Sequence, residues 1–144
     1  LDTYCGIGTI GLYMAPVAKH VYGVEIVPSA IQDAKQNALI NHFDNTTFEC
    51  GKAEEVIIEW KQKGIEPDVI MVDPPRKGCE QVFIETLLEL APKRIIYISC
   101  NPSTQQRDAQ LLANLYYLKE ITPVDMFPHT THIETVALFE RKTL

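Results

Sequence analysis

A chain of 144 residues, 46% hydrophobic and 22% charged, is long enough to build one globular domain with a full core. It has no apolar run of about 18 residues and no basic-then-apolar leader, so a helical membrane span and a signal peptide are not expected and the setting reads as soluble and cytoplasmic. Its formal net charge of −6 argues against a free-standing nucleic-acid binder, because such domains carry a basic surplus.

Cys5, Cys50, Cys79 and Cys100 are spaced by 45, 29 and 21 residues, which fits no zinc or iron–sulfur pattern and no disulfide scaffold; they read as reduced thiols, and no metal site is expected. The chain opens without an initiator methionine on Leu1-Asp2-Thr3-Tyr4, the tail of a truncated first strand. The expectation is a single domain over residues 1–144, excised from a longer protein.

After that strand comes Cys5-Gly6-Ile7-Gly8-Thr9-Ile10-Gly11, a G-x-G-x-x-G run, and then a helical stretch with Leu12, Ala15 and Ala18 on one side. Glycines between a strand and a helix let the backbone turn sharply and let a nucleotide-like ligand approach closely, which marks Gly6 and Gly8 as cofactor-binding candidates. His20 to Val24 reads as a second strand ending in Glu25, 19 residues after Gly6. That is close to the roughly 20 residues expected of an acid that accepts hydrogen bonds from ribose hydroxyls. The plain alternative is a solvated carboxylate at a strand end.

Pro28 to Asn41 forms a helix with Ile31, Ala34, Ala38 and Leu39 at helical spacing. A short strand over Thr46 to Cys50 and a helix from Ala53 to about Lys63 follow. Asp68 to Val72 is a buried strand that ends in Asp73-Pro74-Pro75-Arg76-Lys77-Gly78, a stiff loop with few backbone donors that projects Asp73 over the sheet edge. Glu80 to Leu90 is the next helix. The apolar run Ile95 to Ile98 is another buried strand, and it delivers Cys100 to its C-terminal end just before a helix reaching about Leu115.

Two caps are available to that helix. Asn101 can cap it with Pro102 at the first position, or Ser103 with Gln106 can form a capping box. With either, Cys100 sits beside a helix N-terminus, where backbone N–H groups and the helix dipole favour a thiolate. The competing reading of Cys100 is a small buried hydrophobe. Tyr116 to Thr122 and Thr135 to Glu140 close the chain as two strands.

Alternating strands and helices imply an α/β fold, a mostly parallel sheet with helices on both faces, and two final strands without a helix between them imply an antiparallel last pair. A glycine-rich first turn with an acid after the second strand serves NAD and S-adenosylmethionine alike, since both present an adenosine ribose at a strand-end crevice. The Asp-Pro-Pro tip, the helix-capping cysteine and the antiparallel end favour the methyltransferase form.

Four motifs make the resemblance specific: Leu1-Asp2-x-Tyr4-Cys5-Gly6-x-Gly8; Asp73-Pro74-Pro75-Arg76-x-Gly78; Ser99-Cys100-Asn101-Pro102-x-Thr104-x-x-Arg107-Asp108; and Asp125-Met126-Phe127-Pro128-His129-Thr130-x-His132-x-Glu134. In this order, and from end to end of the chain, they resemble the RNA uracil-5 methyltransferase family, which makes 5-methyluridine in transfer RNA and 23S ribosomal RNA. The resemblance implies a Rossmann-like class I methyltransferase with a mostly parallel seven-stranded sheet and an antiparallel last strand, with S-adenosylmethionine as cofactor. It makes Cys100 the nucleophile and Glu134 the general base, and it places Tyr4, Thr9, Glu25 and Asp73 around S-adenosylmethionine, with Asp73 also on the uracil ring.

Arg107 either holds RNA phosphate or pairs with Asp108 or another acid. His129 and His132 are read as shaping the loop that holds Glu134. The pattern departs after the third strand, where methyltransferases often place Asp or Asn near the adenine; Lys52 stands there, followed by Ala53.

RNA is the implied partner, 23S ribosomal RNA favoured over transfer RNA. Regions outside this chain would supply the basic surface, so the isolated chain is expected to bind RNA weakly. Two rivals remain. An amino-methyltransferase would use Asp73-Pro74-Pro75 on an exocyclic nitrogen and would not need Cys100 or Glu134, and a nucleotide-sensing module would transfer no methyl group at all.

Overall fold

Strand and helix alternate through the computed structural model, which describes residues 1–143, because β-branched apolar runs are punctuated by prolines, glycines and caps at almost every junction. The chain divides into two units, Leu1–Ile65 and Glu66–Leu144.

The first unit holds β1 (Asp2–Thr3), α1 (Thr9–Met14), β2 (Val21–Glu25), α2 (Pro28–Ile40), β3 (Thr46–Cys50) and α3 (Ala53–Gln62). Its strands run parallel in the order β3-β2-β1, with Thr3 opposite Val24 and Glu25 opposite Cys50. One core cluster joins Cys5, Leu12, Ile31, Ala34, Ala38 and Phe48, with Phe43 packed against it.

Two expectations fail here for local reasons. Pro16 has no N–H and cannot extend an α-helical ladder, so α1 stops at Met14 and Ala15–Val17 is a single 3-10 turn, leaving Ala18 outside the helix. Leu39 is 74% exposed rather than core, because the buried stripe of α2 is Ile31, Ala34 and Ala38, and the residue after Ala38 is rotated about 100° off it.

The second unit holds β4 (Val69–Val72), α4 (Gln81–Leu90), β5 (Arg94–Ser99), α5 (Pro102–Leu112), β6 (Tyr116–Val124) and β7 (Glu134–Arg141). Its strands lie in the order β4-β5-β7-β6. β4 and β5 are parallel, whereas β7 runs antiparallel to both β5 and β6, as the missing final helix implies. β6 is the edge strand, so Pro123 is tolerated within it and the strand continues to Val124 instead of ending at Thr122.

α5 is shorter than expected. It ends at Leu112, and the chain turns through Ala113–Leu115 to enter β6 at Tyr116, whose buried hydroxyl donates to the Pro92 carbonyl at 2.9 Å. Phe83, Ile84, Leu87, Ile95, Tyr97, Leu112, Tyr116 and Phe139 are each at most 2% exposed and form the apolar interior of this unit. Among the described residues the strands number seven, and no helix is long and apolar enough to cross a membrane.

Candidate active site

In the first unit, the turn after β1 is wound by positive backbone angles at Tyr4 (φ 59°), Gly6 (φ 52°) and Gly8 (φ 84°). At Gly6 the position a Cβ would take has no atom within 4 Å, so the loop presents bare backbone to open space. Glu25 stands at the end of β2, half-buried, and its two oxygens are both used: Oε2 accepts the Gly6 amide at 3.2 Å and Oε1 accepts the Val27 amide at 3.0 Å. A carboxylate has about four acceptor positions, so the same group retains capacity for hydroxyl donors.

Tyr4 is half-buried, Gly8 is buried, and Thr9 is exposed at the first turn of α1. Tyr4, Gly6, Gly8, Thr9 and Glu25 thus share one strand-end edge of this unit. An open glycine backbone beside an acceptor carboxylate fits a ribose-bearing cofactor. Lys52 does not project a carboxylate or amide here: it caps α3 with its backbone, and its Nζ lies 3.0 Å from Glu55 Oε1.

In the second unit, Cys100 follows the last residue of β5 and is half-buried. The Ser99 hydroxyl closes a tight turn around it, donating to the Asn101 carbonyl and accepting the Asn101 amide, each at 3.0 Å. Of the two caps open to the sequence, the structure adopts Asn101, whose Oδ1 accepts the Ser103 amide at 3.2 Å with Pro102 at the helix start. Such a cap is worth about 1 kcal/mol.

Glu134 opens β7 and is half-buried. The antiparallel register pairs Ser99 with Thr135, so Cys100 and Glu134 each stand one residue beyond that pair, at the same end of the sheet. Asp73, directly after β4, is brought to the same neighbourhood. Asp73 is exposed as a residue, yet partial loss of water around its carboxyl pushes it above the ordinary aspartate range, and the nearby Glu134 charge pushes it further.

The loop carrying Asp73 is fastened to α5. The Arg76 carbonyl accepts from Asn101 Nδ2 at 3.2 Å and Thr104 Oγ1 at 3.3 Å, and Arg107 Nη2 donates to the Lys77 and Cys79 carbonyls at 3.1 Å. Arg107 also grips Asp108 Oδ1 through Nε and Nη2, at 2.8 and 2.7 Å, which is the ion-pair alternative the sequence left open.

Asp108 is fully buried, and its other oxygen accepts the Tyr97 hydroxyl at 2.7 Å and the Cys79 amide at 2.8 Å. Gly78 is required at this junction: at φ 78° a Cβ would stand 2.7 Å from both Arg107 Nη2 and Asp108 Oδ2. His132 Nδ1 accepts from Arg76 Nη2 at 3.4 Å, so this histidine ties the loop before β7 to the Asp73 loop.

The thiols separate by environment. Burial pushes Cys5 and Cys79 up to about 12, which keeps both protonated and inert at neutral pH. Sequence reasoning missed Gln105, Asp108 in its buried role, and Thr135. The available signal was a helix stripe, Gln105-Asp108-Leu112, that is buried yet two-thirds polar.

The strand arrangement, the glycine turn and the strand-end acids define the Rossmann-like fold of the class I S-adenosylmethionine-dependent methyltransferases. The model of one family, tRNA (uracil-5-)-methyltransferase, matches residues 1–142, and the chain belongs to that family. It is 78% identical over 142 residues to an uncharacterized RNA methyltransferase of Staphylococcus aureus (strain MRSA252) and 77% identical to one of Staphylococcus epidermidis (strain ATCC 12228). Both alignments take in 99% of this chain and 31% of the relative, so the chain spans about a third of the length of these proteins.

Among solved structures it is similar to the Pyrococcus abyssi tRNA (uracil-54, C5)-methyltransferase in complex with S-adenosyl-L-homocysteine. The TM-score is 0.82 at 37% identity, over 96% of this chain and 33% of that one. An rRNA methylase from Streptococcus thermophilus shares the fold at 10% identity, with a TM-score of 0.75 over 99% of this chain and 86% of its own.

Proposed function

We propose that the full-length protein containing this chain transfers a methyl group from S-adenosylmethionine to carbon 5 of a uridine in RNA, through a transient bond between Cys100 and carbon 6 of the base. The observation that carries this reading is the β5–β7 register, which sets a half-buried cysteine and a half-buried glutamate side by side beyond the Ser99–Thr135 pair. Family membership supports the reaction class, and the open Gly6 backbone beside Glu25 supports the cofactor.

Carbon 5 of uracil is too weak a nucleophile to take a methyl group unaided. The Cys100 thiolate adds to carbon 6, forming the S–C6 bond and moving the C5=C6 electron pair toward O4 as an enolate. S-adenosylmethionine, when bound, would supply an electrophilic methyl group, its sulfonium departing as the neutral thioether. Once carbon 5 has taken the methyl group, Glu134 removes the proton left there, the C5=C6 bond re-forms, and the thiolate of Cys100 leaves. Asp73, which lies near enough to Glu134 to feel its charge, serves the same base as a hydrogen-bond partner.

The base must leave its stack to reach these groups. The favoured substrate is 23S ribosomal RNA, with transfer RNA as the second; at a net charge of −6 the isolated chain contributes little to RNA affinity, and the reaction belongs to the cytoplasm.

Replacing Cys100 with alanine in the full-length protein tests the reading. Methyl transfer is expected to be lost while S-adenosylmethionine binding persists, because the glycine turn and Glu25 lie on other strands. Retained turnover would move the protein to the amino-methyltransferases that act through the Asp73 loop, and absence of transfer by the unaltered protein would leave a nucleotide-sensing module. Mapping 5-methyluridine in 23S and transfer RNA from cells lacking the protein separates the two substrates.

A further inference from the structure

The reaction leaves unused one buried polar pair that links the strand ending just before Cys100 to the strand that opens on Glu134. Gln105 lies on the inner face of α5, 3% exposed, one turn beyond the Asn101 cap. Its Nε2 donates to the Tyr97 carbonyl at 2.9 Å, and its Oε1 accepts the Thr135 hydroxyl at 2.8 Å. Thr135 is 5% exposed, and its Oγ1 also lies 3.3 Å from the Ser99 carbonyl.

Three elements therefore meet at one amide: β5 two residues before Ser99, α5 just after Cys100, and β7 at the residue following Glu134. A buried amide and hydroxyl are expensive to desolvate, and an apolar pair would fill this space with less penalty. The geometry that polar partners impose is what distinguishes them from such a pair, since a planar amide bonded at both ends fixes distance and orientation together.

The two reacting groups are anchored unequally. Cys100 is held by the Ser99 turn, by the Asn101 cap and by the bonds that fasten α5 to the Asp73 loop. Glu134 follows a long exposed loop and pairs with Val124 of the edge strand, so the Thr135 hydroxyl bond is a buried tie at the very start of β7.

We infer that Gln105 and Thr135 form a positioning bridge that holds Glu134 in line with the base attached to Cys100, and so governs proton removal from carbon 5 rather than the addition of the thiolate. This rests on the covalent mechanism proposed above. Neither residue touches the base; each acts through Glu134. A displacement of about 1 Å in a reacting group is enough to slow its step about a hundredfold.

The experiment uses the full-length protein, methyl-labelled S-adenosylmethionine and an unmodified RNA substrate in single-turnover format, following both the labelled RNA–protein adduct on a denaturing gel and the release of free methylated RNA. Thr135→Val, which keeps the shape and removes the hydroxyl, is expected to form the adduct within about twofold of the wild-type rate and to release it roughly 10–100-fold more slowly. KM for RNA should be unchanged. Thr135→Ser restores the hydroxyl and should restore release. Gln105→Met, which keeps the chain length and removes both polar atoms, carries the same expectation as Thr135→Val and stands in for it if the valine variant does not fold.

The double variant should be no slower than either single one, because one bridge is broken once. Release at the wild-type rate in both single variants, or equal slowing of addition and release, overturns the bridge while leaving the covalent mechanism standing. Absence of any Cys100-dependent adduct in the wild-type protein overturns both.

Discussion

The Gly6 amide donates to the Glu25 carboxylate across 3.2 Å, so the glycine turn after β1 and the acid at the end of β2 are parts of one hydrogen-bonded structure before any ligand arrives. The carboxylate holds the loop through Oε2 and the start of the next segment through Oε1 on the Val27 amide. The acid thereby shapes the turn, and under the function proposed above its remaining acceptor positions are the ones ribose hydroxyls would use.

Glu25→Ala is accordingly expected to weaken S-adenosylmethionine binding twice over, by removing the ribose acceptor and by freeing the turn. A hydrogen bond to a charged group contributes about 1.5–3 kcal/mol, or roughly 10–100-fold in affinity. Titration calorimetry of the full-length protein with S-adenosylmethionine reads this directly. Unchanged affinity would mean that the turn is held without the carboxylate and that the ribose finds its acceptor elsewhere.

A second outcome follows from the burial of Asp108. Asp108→Ala strips the Tyr97 hydroxyl and the Cys79 amide of their acceptor in a water-free interior, at about 1–3 kcal/mol for each group left unsatisfied. Thermal and denaturant unfolding of the chain should show a loss of roughly 2–5 kcal/mol, and Asp108→Asn, which keeps one acceptor, should lose less. A loss below about 1 kcal/mol would show that water or rearranged side chains satisfy the stranded groups.

Much of the element order was legible because β2, β4 and β5 are short, largely apolar runs, and α2 and α5 each begin at a proline. The place of Cys100 beside a helix N-terminus was legible because both Asn101-Pro102 and Ser103 with Gln106 could start a helix just after it, and the structure adopts the first. What pairwise packing decides was not legible. Asp108 and Gln105 look like solvent-facing helix residues in a string of polar neighbours, and their burial follows from partners 11 and 30 residues away, Tyr97 and Thr135. Arg107 had two readings in sequence, and its guanidinium meets Asp108 because α5 packs against the loop whose carbonyls it also bonds. Leu39 looked like core because helical periodicity marks a stripe without fixing its width.

The raised pKa of Asp73 makes a pH prediction with a definite sign. Its neutral form is favoured in the folded state, so below the ordinary aspartate value of about 3.9 the group is protonated in both states and there is no penalty. As pH rises through the raised folded value, the folded state must hold this charge beside Glu134 and stability falls, by a small amount because Asp73 is exposed and water screens the pair. Asp73→Asn removes the charge. Its melting temperature should exceed that of the unaltered chain at pH 7, and the advantage should shrink as pH falls toward about 4. Melting curves across this range check it, and an advantage that grew on acidification would contradict the assigned cause. The same substitution is expected to slow methyl transfer, so the gain in stability and the loss of activity would share one origin.

The last prediction concerns Glu134→Gln in the full-length protein with RNA and S-adenosylmethionine. Glutamine keeps the size and the strand position next to the Ser99–Thr135 pair, but its amide cannot accept the carbon 5 proton. Thiolate addition and methylation should therefore proceed, because Cys100 is oriented by Ser99 and Asn101 and not by Glu134. Elimination should stall, since the S–C6 bond cannot break until the carbon 5 proton leaves. A methylated RNA–protein adduct is expected to accumulate as a slow-migrating band on a denaturing gel, carrying label from the methyl group, and to vanish in the Cys100→Ala, Glu134→Gln double variant. If the single variant turns over at the wild-type rate with no adduct, the base is another group on the same loop. The first candidates would then be His132, whose Nδ1 already lies 3.4 Å from Arg76, and His129.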